Sequence, residues 1–366
     1  MSLALTGLGM VSSLGWGVVS SCAAIRAGLT RPRPLHDVYV TDRDLLESVP
    51  LMGHPIPELT DGFGPLGRWL QLAQACVADL RETAHLPPTS DVRFWSQTGW
   101  LCVLPHLDPA RYLEVQDFGP DLMKSSWVER LGQLLGLDWP RKSVHFVHAG
   151  HAGTAAALQL ARQLLAARQV ERLVVLSLDS YLDETSLEWL LMHQRLKMPD
   201  HPVGLMPGES GACLLVELPQ AARQRGTPVL ATLETVAIGS ETGSRIAGQP
   251  GTGEMLARTL EQVLPQTPAG GFVGDLISDL NGEEWRARAW GCVQVRLRDR
   301  LGERTRLLLP CTSLGDVGAA SGAVGVCMAT RAFARKHAVG EQAVIISSAE
   351  HGEVGAIRVR APGGLS

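Results

Sequence analysis

Two stretches of the chain share one pattern of apolar and small residues. Residues 142–178 begin as an apolar strand, Ser143-Val-His-Phe-Val-His148, and turn tightly at Ala149-Gly150-His151. A helix follows whose first turns carry almost only small side chains, Gly153-Thr-Ala-Ala-Ala157, and the stretch ends in a second apolar strand at Leu178. Arg306–Ser347 repeats the plan, with Leu307-Leu-Leu309, a turn at Thr312-Ser-Leu-Gly-Asp316, a helix opening Gly318-Ala-Ala-Ser-Gly-Ala-Val-Gly325, and the strand Ala343-Val-Ile-Ile-Ser347. Helices lined with small residues can approach closely, so the repeat predicts two such helices sharing a central layer between two sheets. A strand turning sharply into a helix also aims the turn residue at free N–H groups and the positive end of the dipole, where enzymes place nucleophiles.

The rest of the chain fits around these units. Leu3–Leu5 reads as a buried strand and about 17–28 as a helix. Residues 30–64, rich in Pro, Gly and Asp without a period, read as a loop excursion. Pro65–Thr83 carries Trp69, Leu70, Leu72, Ala73, Cys76, Val77 and Leu80 at helical spacing, which predicts a core-facing helix. Further elements are a strand at 99–104, a helical surface segment within 109–136, a helix at 183–194, a loop at 197–207 and a strand from 228 to 239. Helices at about 251–264 and 283–300 flank a strand within 271–280. The repeat divides the chain into halves at 1–226 and 227–366.

Composition narrows the function. The 366 residues suffice to bury about three quarters of the unfolded surface. Hydrophobic residues at 45%, charged residues at 19% and a mean hydropathy of +0.07 describe an apolar globular protein. The formal net charge of −4 gives no basic footprint for nucleic acid. The seven cysteines, at 22, 76, 102, 213, 292, 311 and 327, are scattered and lack Cys-x-x-Cys spacing, which points to reduced thiols in a cytoplasmic setting rather than disulfides or zinc. The N-terminus is apolar but glycine-broken, without a basic region, so neither a signal peptide nor membrane insertion is expected.

Several segments together resemble the β-ketoacyl synthases. The opening Thr6-Gly-Leu-Gly-Met-Val-Ser-Ser-Leu-Gly15 is similar to the family's start, and Gly204-Leu-Met-Pro-Gly208-Glu209-Ser-Gly211-Ala-Cys-Leu-Leu-Val-Glu217 to its Gly-Phe-x-x-Gly-Glu-Gly-Ala block. Ser348-Ala-Glu-His351-Gly352-Glu-Val-Gly-Ala356 matches the Gly-Phe-Gly-Gly end. The resemblance covers nearly the whole chain and implies an α/β thiolase fold, a duplicated five-layer αβαβα arrangement. It also implies where the chemistry should be. Aligned on Ala149 and Gly153, the nucleophilic cysteine position is Gly150; the two catalytic histidine positions are Asn281, in Ser278-Asp-Leu-Asn-Gly-Glu283, and Asp316. Glycine cannot form a thioester, and an aspartate would oppose an enolate that an imidazole would stabilise.

The expected centre is therefore a relict pocket of His148, His151, Asn281, Glu283, Cys311, Asp316 and His351, with Glu350 nearby, holding no cofactor or metal. Histidines hydrogen-bonded in place, Cys311 as a buried structural thiol at a strand end, Glu209 as a hydrogen-bonding residue at the contact between halves, and a local turn and ion pair through Asn281, Glu283 and Arg286 complete that expectation. It implies a protein that binds rather than condenses, acting in a bacterial assembly as chain-length factors do. Two alternatives stay open: an active 3-oxoacyl synthase or acyltransferase with unusual residues, and a metal-dependent hydrolase built from His148, His151 and Asp316. The Asp279-Leu-Asn-Gly-Glu283 element is also similar to ones in degenerate synthase-like chains associated with type VI secretion clusters. The expected partners are a second copy joined through the strand near 143–148, an intact synthase in a heterodimer, an acyl carrier protein or a secretion-system component.

Overall fold

A computed structural model describes residues 1–42, 45–113, 117, 119–137, 143–249, 251–265 and 271–363. Lys142 and parts of the 109–136 segment lie outside them. Five strands come from the first half: β1 (Leu3–Ser12), which carries a short hairpin partner β2 (Gly15–Trp16), then β5 (Thr98–Leu104), β6 (Val144–His148), β7 (Arg172–Ser180) and β8 (Glu209–Glu217). Five more follow: β9 (Ala231–Ser240), β10 (Phe272–Ser278), β11 (Leu301–Leu308), β12 (Gln342–Ser348) and β13 (Glu353–Arg360). The sheet runs β11-β10-β12-β13-β9-β1-β8-β7-β5-β6. Each set of five repeats one spatial order, third, second, fourth, fifth, first, and the sets meet where β1 pairs antiparallel with β9 through Leu3–Leu5. The duplication read from the small-residue pattern is thus a duplication of topology.

Between the two half-sheets lie the central helices Gly153–Ala166 and Ser321–Ala334. The first packs on β5, β7, β9 and β13, the second on β1, β8, β10 and β12, and they touch each other. Their small side chains are what allow this: a methyl group added to Gly322 would lie 2.7 Å from the Thr154 side chain. Outer helices, chiefly Pro65–Thr83 on one side and Glu254–Val263 with Glu284–Arg296 on the other, complete five layers. The predicted stripe of Pro65–Thr83 is buried from Trp69 to Leu80 against β1, β7 and β8.

Four details differ from the sequence reading. Residues 30–64 contain an antiparallel pair, β3 (Arg33–Asp42) with β4 (Glu47–Gly53). Its prolines and charged residues hide the alternation, yet Leu35 and Leu51 seat it on Tyr181, Leu182 and Trp189. The helix Pro120–Leu135 is not purely superficial, since Met123, Trp127 and Leu131 are buried. Cys311 opens a short helix, Cys311–Leu314, beyond the end of β11. The apolar run at 307–309 is only half-buried, because β11 is the last strand on its side of the sheet. Among the described residues no helix is long and apolar enough to cross a membrane.

Candidate functional site

The turns that open the two central helices are built alike. Gly150–Ala152 and Gly318–Ala320 are single 3-10 turns, and each begins with a left-handed glycine, φ +47° at Gly150 and +50° at Gly318. A side chain at either position would be strained by roughly 1–3 kcal/mol. It would also lack space. A Cβ on Gly150 would sit 3.2 Å from His106 Nδ1 and 3.3 Å from the Ala349 methyl, and one on Gly318 would overlap the Asp179 carboxylate. The His106 imidazole, just beyond the end of β5, thus stands in tight contact with the Gly150 turn.

Directly after Gly150, His151 enters a buried network of charges. Its Nε2 lies 2.8 Å from Asp316 Oδ1, and its Nδ1 lies 3.4 Å from Glu350. Asn281 Nδ2 donates to the other Asp316 oxygen at 2.6 Å and to Glu283 at 2.9 Å, while Asn281 Oδ1 accepts from the Glu283 amide. Arg195 clamps Glu283 with two hydrogen bonds of 2.8 and 3.0 Å and approaches Glu350 at 3.6 Å. Arg286 donates to Asp279 at 2.7 Å and to the Ser348 carbonyl. Its Nη2 is 3.2 Å from both ring nitrogens of His151, an equidistance that sets the guanidinium against the ring rather than on a lone pair. Three cationic side chains, His151, Arg195 and Arg286, thus face four carboxylates, Asp279, Glu283, Asp316 and Glu350, and every one of these residues is buried.

Electrostatics fix the protonation. Burial and the nearby Arg286 would depress His151, but the Asp316 carboxylate, aided by Glu350, more than reverses them and raises it to about 9. Burial alone would raise Asp316; His151 above all, then Arg286 and Asn281, hold it far below the usual carboxylate range. Glu350 and Glu283 are held down against burial chiefly by Arg195. The charged forms are the stable ones, so the site is a salt lattice rather than a store of mobile protons.

Backbone pairing locks the Asp316 loop. Asp316 donates its amide to Met206 O at 2.8 Å and accepts at its carbonyl from Gly208 at 3.0 Å, while His54 N donates to Pro207 O. The Gly204–Glu209 block singled out in the sequence therefore holds the second turn. Asp316 Oδ1 also accepts from Gly318 N at 2.8 Å, closing the helix start. Beside it, Asp179 Oδ2 accepts from Ala319 N, and Arg111 binds the other oxygen at 2.9 Å while stacking 4.3 Å above Tyr181.

Of the seven residues expected in the pocket, four converge: His151, Asn281, Glu283 and Asp316. Cys311 stands beside them with Sγ 3.9 Å from the Asp279 carbonyl, its thiol pushed well up by burial and then by Asp316. His148 and His351 stand outside the charge network, His351 beside the Gly150 turn by way of His106. His148 is 3.0 Å from Pro105 O, and His351 stacks on His106 at 4.0 Å, with His106 in turn 3.0 Å from Glu353. Burial depresses both His148 and His351. The trio His148, His151 and Asp316 does not converge, because the left-handed turn at Gly150 sends the two histidines apart; among the described residues no three His, Cys, Asp or Glu side chains form a metal set. Two smaller expectations change as well. Glu209 binds Ile56 N, Thr60, Arg68 and Ser180, all within the first half. The local turn at Asn281 forms, but Glu283 pairs mainly with Arg195 and Arg286 mainly with Asp279. Arg195, Asp279 and His106 went unread because nothing near them in sequence signals their partners.

Voids beside the network are about the size of single waters. One of about 10 Å³ is lined by Asp279, Cys311 and Ser321, another of about 20 Å³ by Trp285, Ser348 and Ala349. His151 and Asp316 are 1% and 0% exposed, so this histidine–carboxylate pair is shut away from solvent among the described residues.

The architecture has known counterparts. The chain superposes on the ketosynthase from module 6 of the bacillaene synthase of Bacillus subtilis 168 with a TM-score of 0.73 at 12% identity, over 99% of this chain and 72% of that one. It matches the oxazolomycin ketosynthase domain OzmH KS7 of Streptomyces albus JA3453 with a TM-score of 0.77 at 13% identity, over 100% and 76%. The fold is that of the ketosynthases. The ishigamide ketosynthase/chain length factor aligns end to end, over 99% of this chain and 100% of that one, at 18% identity and a TM-score of 0.68. No protein-family model matches the sequence, and no curated protein does. The ketosynthase fold, duplicated and five-layered, is therefore present here at 12–18% sequence identity to these structures.

Proposed function

We propose that this chain is a ketosynthase-fold pseudoenzyme that does not condense acyl units and acts by binding, as a partner or accessory subunit. One observation carries the reading. The positions matching the Cys-His-His set are Gly150, Asn281 and Asp316, and the last two are spent on a buried ion-pair network. A nucleophile is missing, His106 and Ala349 close over its place, and the carboxylate is already neutralised by His151 and Arg286. The alternative of an active acyltransferase would need a reacting group reachable by substrate, and the half-buried Cys311 has its thiol pushed well up by burial and then by Asp316.

The partner follows from the sheet. β6 ends the sheet path with its free edge unpaired by any described strand, and every residue in it is only half-buried. An open edge of Val144-His-Phe-Val-His148 suits pairing with another copy of the same strand or with the equivalent strand of an intact synthase. A neighbour described as a ketosynthase/chain length factor, and another as a ketosynthase in complex with its acyl-carrier protein, favour a synthase or carrier protein over a secretion component. Native mass spectrometry of the protein isolated from its own cells tests this. The reading expects twice the chain mass of 39.3 kDa or a complex with a synthase or carrier protein; a bare monomer throughout the micromolar range overturns it.

A further inference from the structure

Away from the charged network, on the other side of the short helix Cys311–Leu314, a cleft of about 350 Å³ opens at the surface. That volume lies at the lower end of the range for small-molecule sites, about 300–1,000 Å³. Three elements make it. The helix Val18–Arg26 contributes Ile25 and Arg26, the end of β11 contributes Arg306, Leu308 and Leu309, and the second central helix contributes Met328 and Arg331, three residues apart and so on one face. Its floor is aliphatic and continuous with the main core, against which Leu308 and Met328 pack. No described strand pairs with the outer edge of β11, so none of the described sheet roofs the cleft.

The rim is cationic. Arg306 is spoken for, since it grips Asp275 with hydrogen bonds of 2.8 and 2.9 Å and reaches the His337 carbonyl. The guanidinium groups of Arg26 and Arg331 make no hydrogen bond or ion pair among the described residues, although both line the cleft. The acid that feels Arg331, Asp79, has its Oδ2 occupied by the amides of Met10 and Val18. His337, on the same wall, is pulled below its ordinary range by partial burial and by Arg26, then Arg306, which registers the positive field. Two uncommitted guanidinium groups over an aliphatic trough call for a ligand with a single anionic head and an apolar body.

We propose that this cleft binds an aliphatic carboxylate, with its chain against Ile25, Leu308, Leu309 and Met328 and its head between Arg26 and Arg331. The site is separate from the relict catalytic centre, so it stands or falls independently of the pseudoenzyme reading. Calorimetric titration of the full chain with decanoate tests it, with decanol and butyrate as comparison probes. Saturable one-to-one binding of decanoate is expected, with decanol about tenfold weaker or more, because it forfeits the charge-assisted hydrogen bonds, and butyrate weaker still. Arg331→Gln should weaken decanoate about tenfold or more, and Thr312→Trp, at an exposed position on the cleft wall, should block it, both with unchanged thermal unfolding. Arg168→Gln, in a polar groove elsewhere, should bind as the wild type does. Absence of saturable decanoate binding, equal binding of decanol, or wild-type affinity in both cleft variants overturns the proposal.

Discussion

Replacing Asp316 with asparagine preserves the side chain's shape and removes one charge from a site with no solvent to take its place. The carboxylate is fully buried and serves His151 at 2.8 Å, Asn281 at 2.6 Å and Gly318 N at 2.8 Å. Breaking a buried pair from one side costs about 3–5 kcal/mol, a large part of a total stability of about 5–15 kcal/mol. The same change removes what keeps His151 charged. His151 titrates at about 9 in the folded chain and near about 6.5 when unfolded, so the stability it contributes is complete below pH ~6.5 and is lost as pH rises toward 9. Linkage then predicts that the wild type loses about 2 kcal/mol through this group between about pH 6 and about pH 8. In Asp316→Asn, burial and Arg286 leave the imidazole neutral, so the wild-type loss disappears and this group instead adds up to about 1 kcal/mol of stability as pH rises from about 6 to about 8.

Urea unfolding followed by tryptophan fluorescence, at both pH values and for both proteins, reads these quantities together. The buried thiols of Cys22, Cys102, Cys213 and Cys327, all pushed up by burial, add a small loss near pH 8 that is common to both proteins and cancels in the difference. The double variant His151→Gln/Asp316→Asn should recover about 1–3 kcal/mol of the single variant's loss, since the buried imidazole that depended on the Asp316 carboxylate is then removed as well. The reasoning is refuted if Asp316→Asn lies within about 1 kcal/mol of wild type at pH 6, or if it keeps the wild-type dependence between pH 6 and pH 8.

Restoring a thiol should not restore chemistry: Gly150→Cys places a side chain at φ +47° against His106, and should lower stability by about 1–3 kcal/mol while forming no acyl adduct with an acyl thioester, as read by denaturation and intact-mass analysis. Arg111→Met strands the buried Asp179 carboxylate and should cost about 3–5 kcal/mol in urea unfolding, with a substantial part regained in Arg111→Met/Asp179→Asn; equal stability of the two variants would show that the pair is not what holds that corner.

How much of this was legible in the chain depends on range. The duplication showed because each half carries a local signature, small residues opening a helix between two apolar strands, and that signature is enforced by packing as close as Thr154 on Gly322. That Gly150 and Asp316 both stand at the turns opening the central helices could be read, because small residues flank each turn locally. The charge lattice could not. His151 and Asp316 are 165 residues apart, Arg195 and Glu283 are 88 apart, and no spacing rule links them. Arg286 was visible only through its i,i+3 relation to Glu283, which is the weaker of its pairings. The β3–β4 pair escaped for another reason: Pro34 and Pro50 sit inside it, and only one face of it meets the core.

The central claim is that a centre spent on structure cannot join acyl chains. Incubating the purified chain alone with radiolabelled acyl and malonyl thioesters, on coenzyme A and on acyl carrier protein, tests it most directly. The account predicts no label on the polypeptide after denaturing electrophoresis, no release of carbon dioxide above the rate without protein, and no β-ketoacyl product. Covalent label on the chain, or condensation product formed by it unaided, would contradict the account.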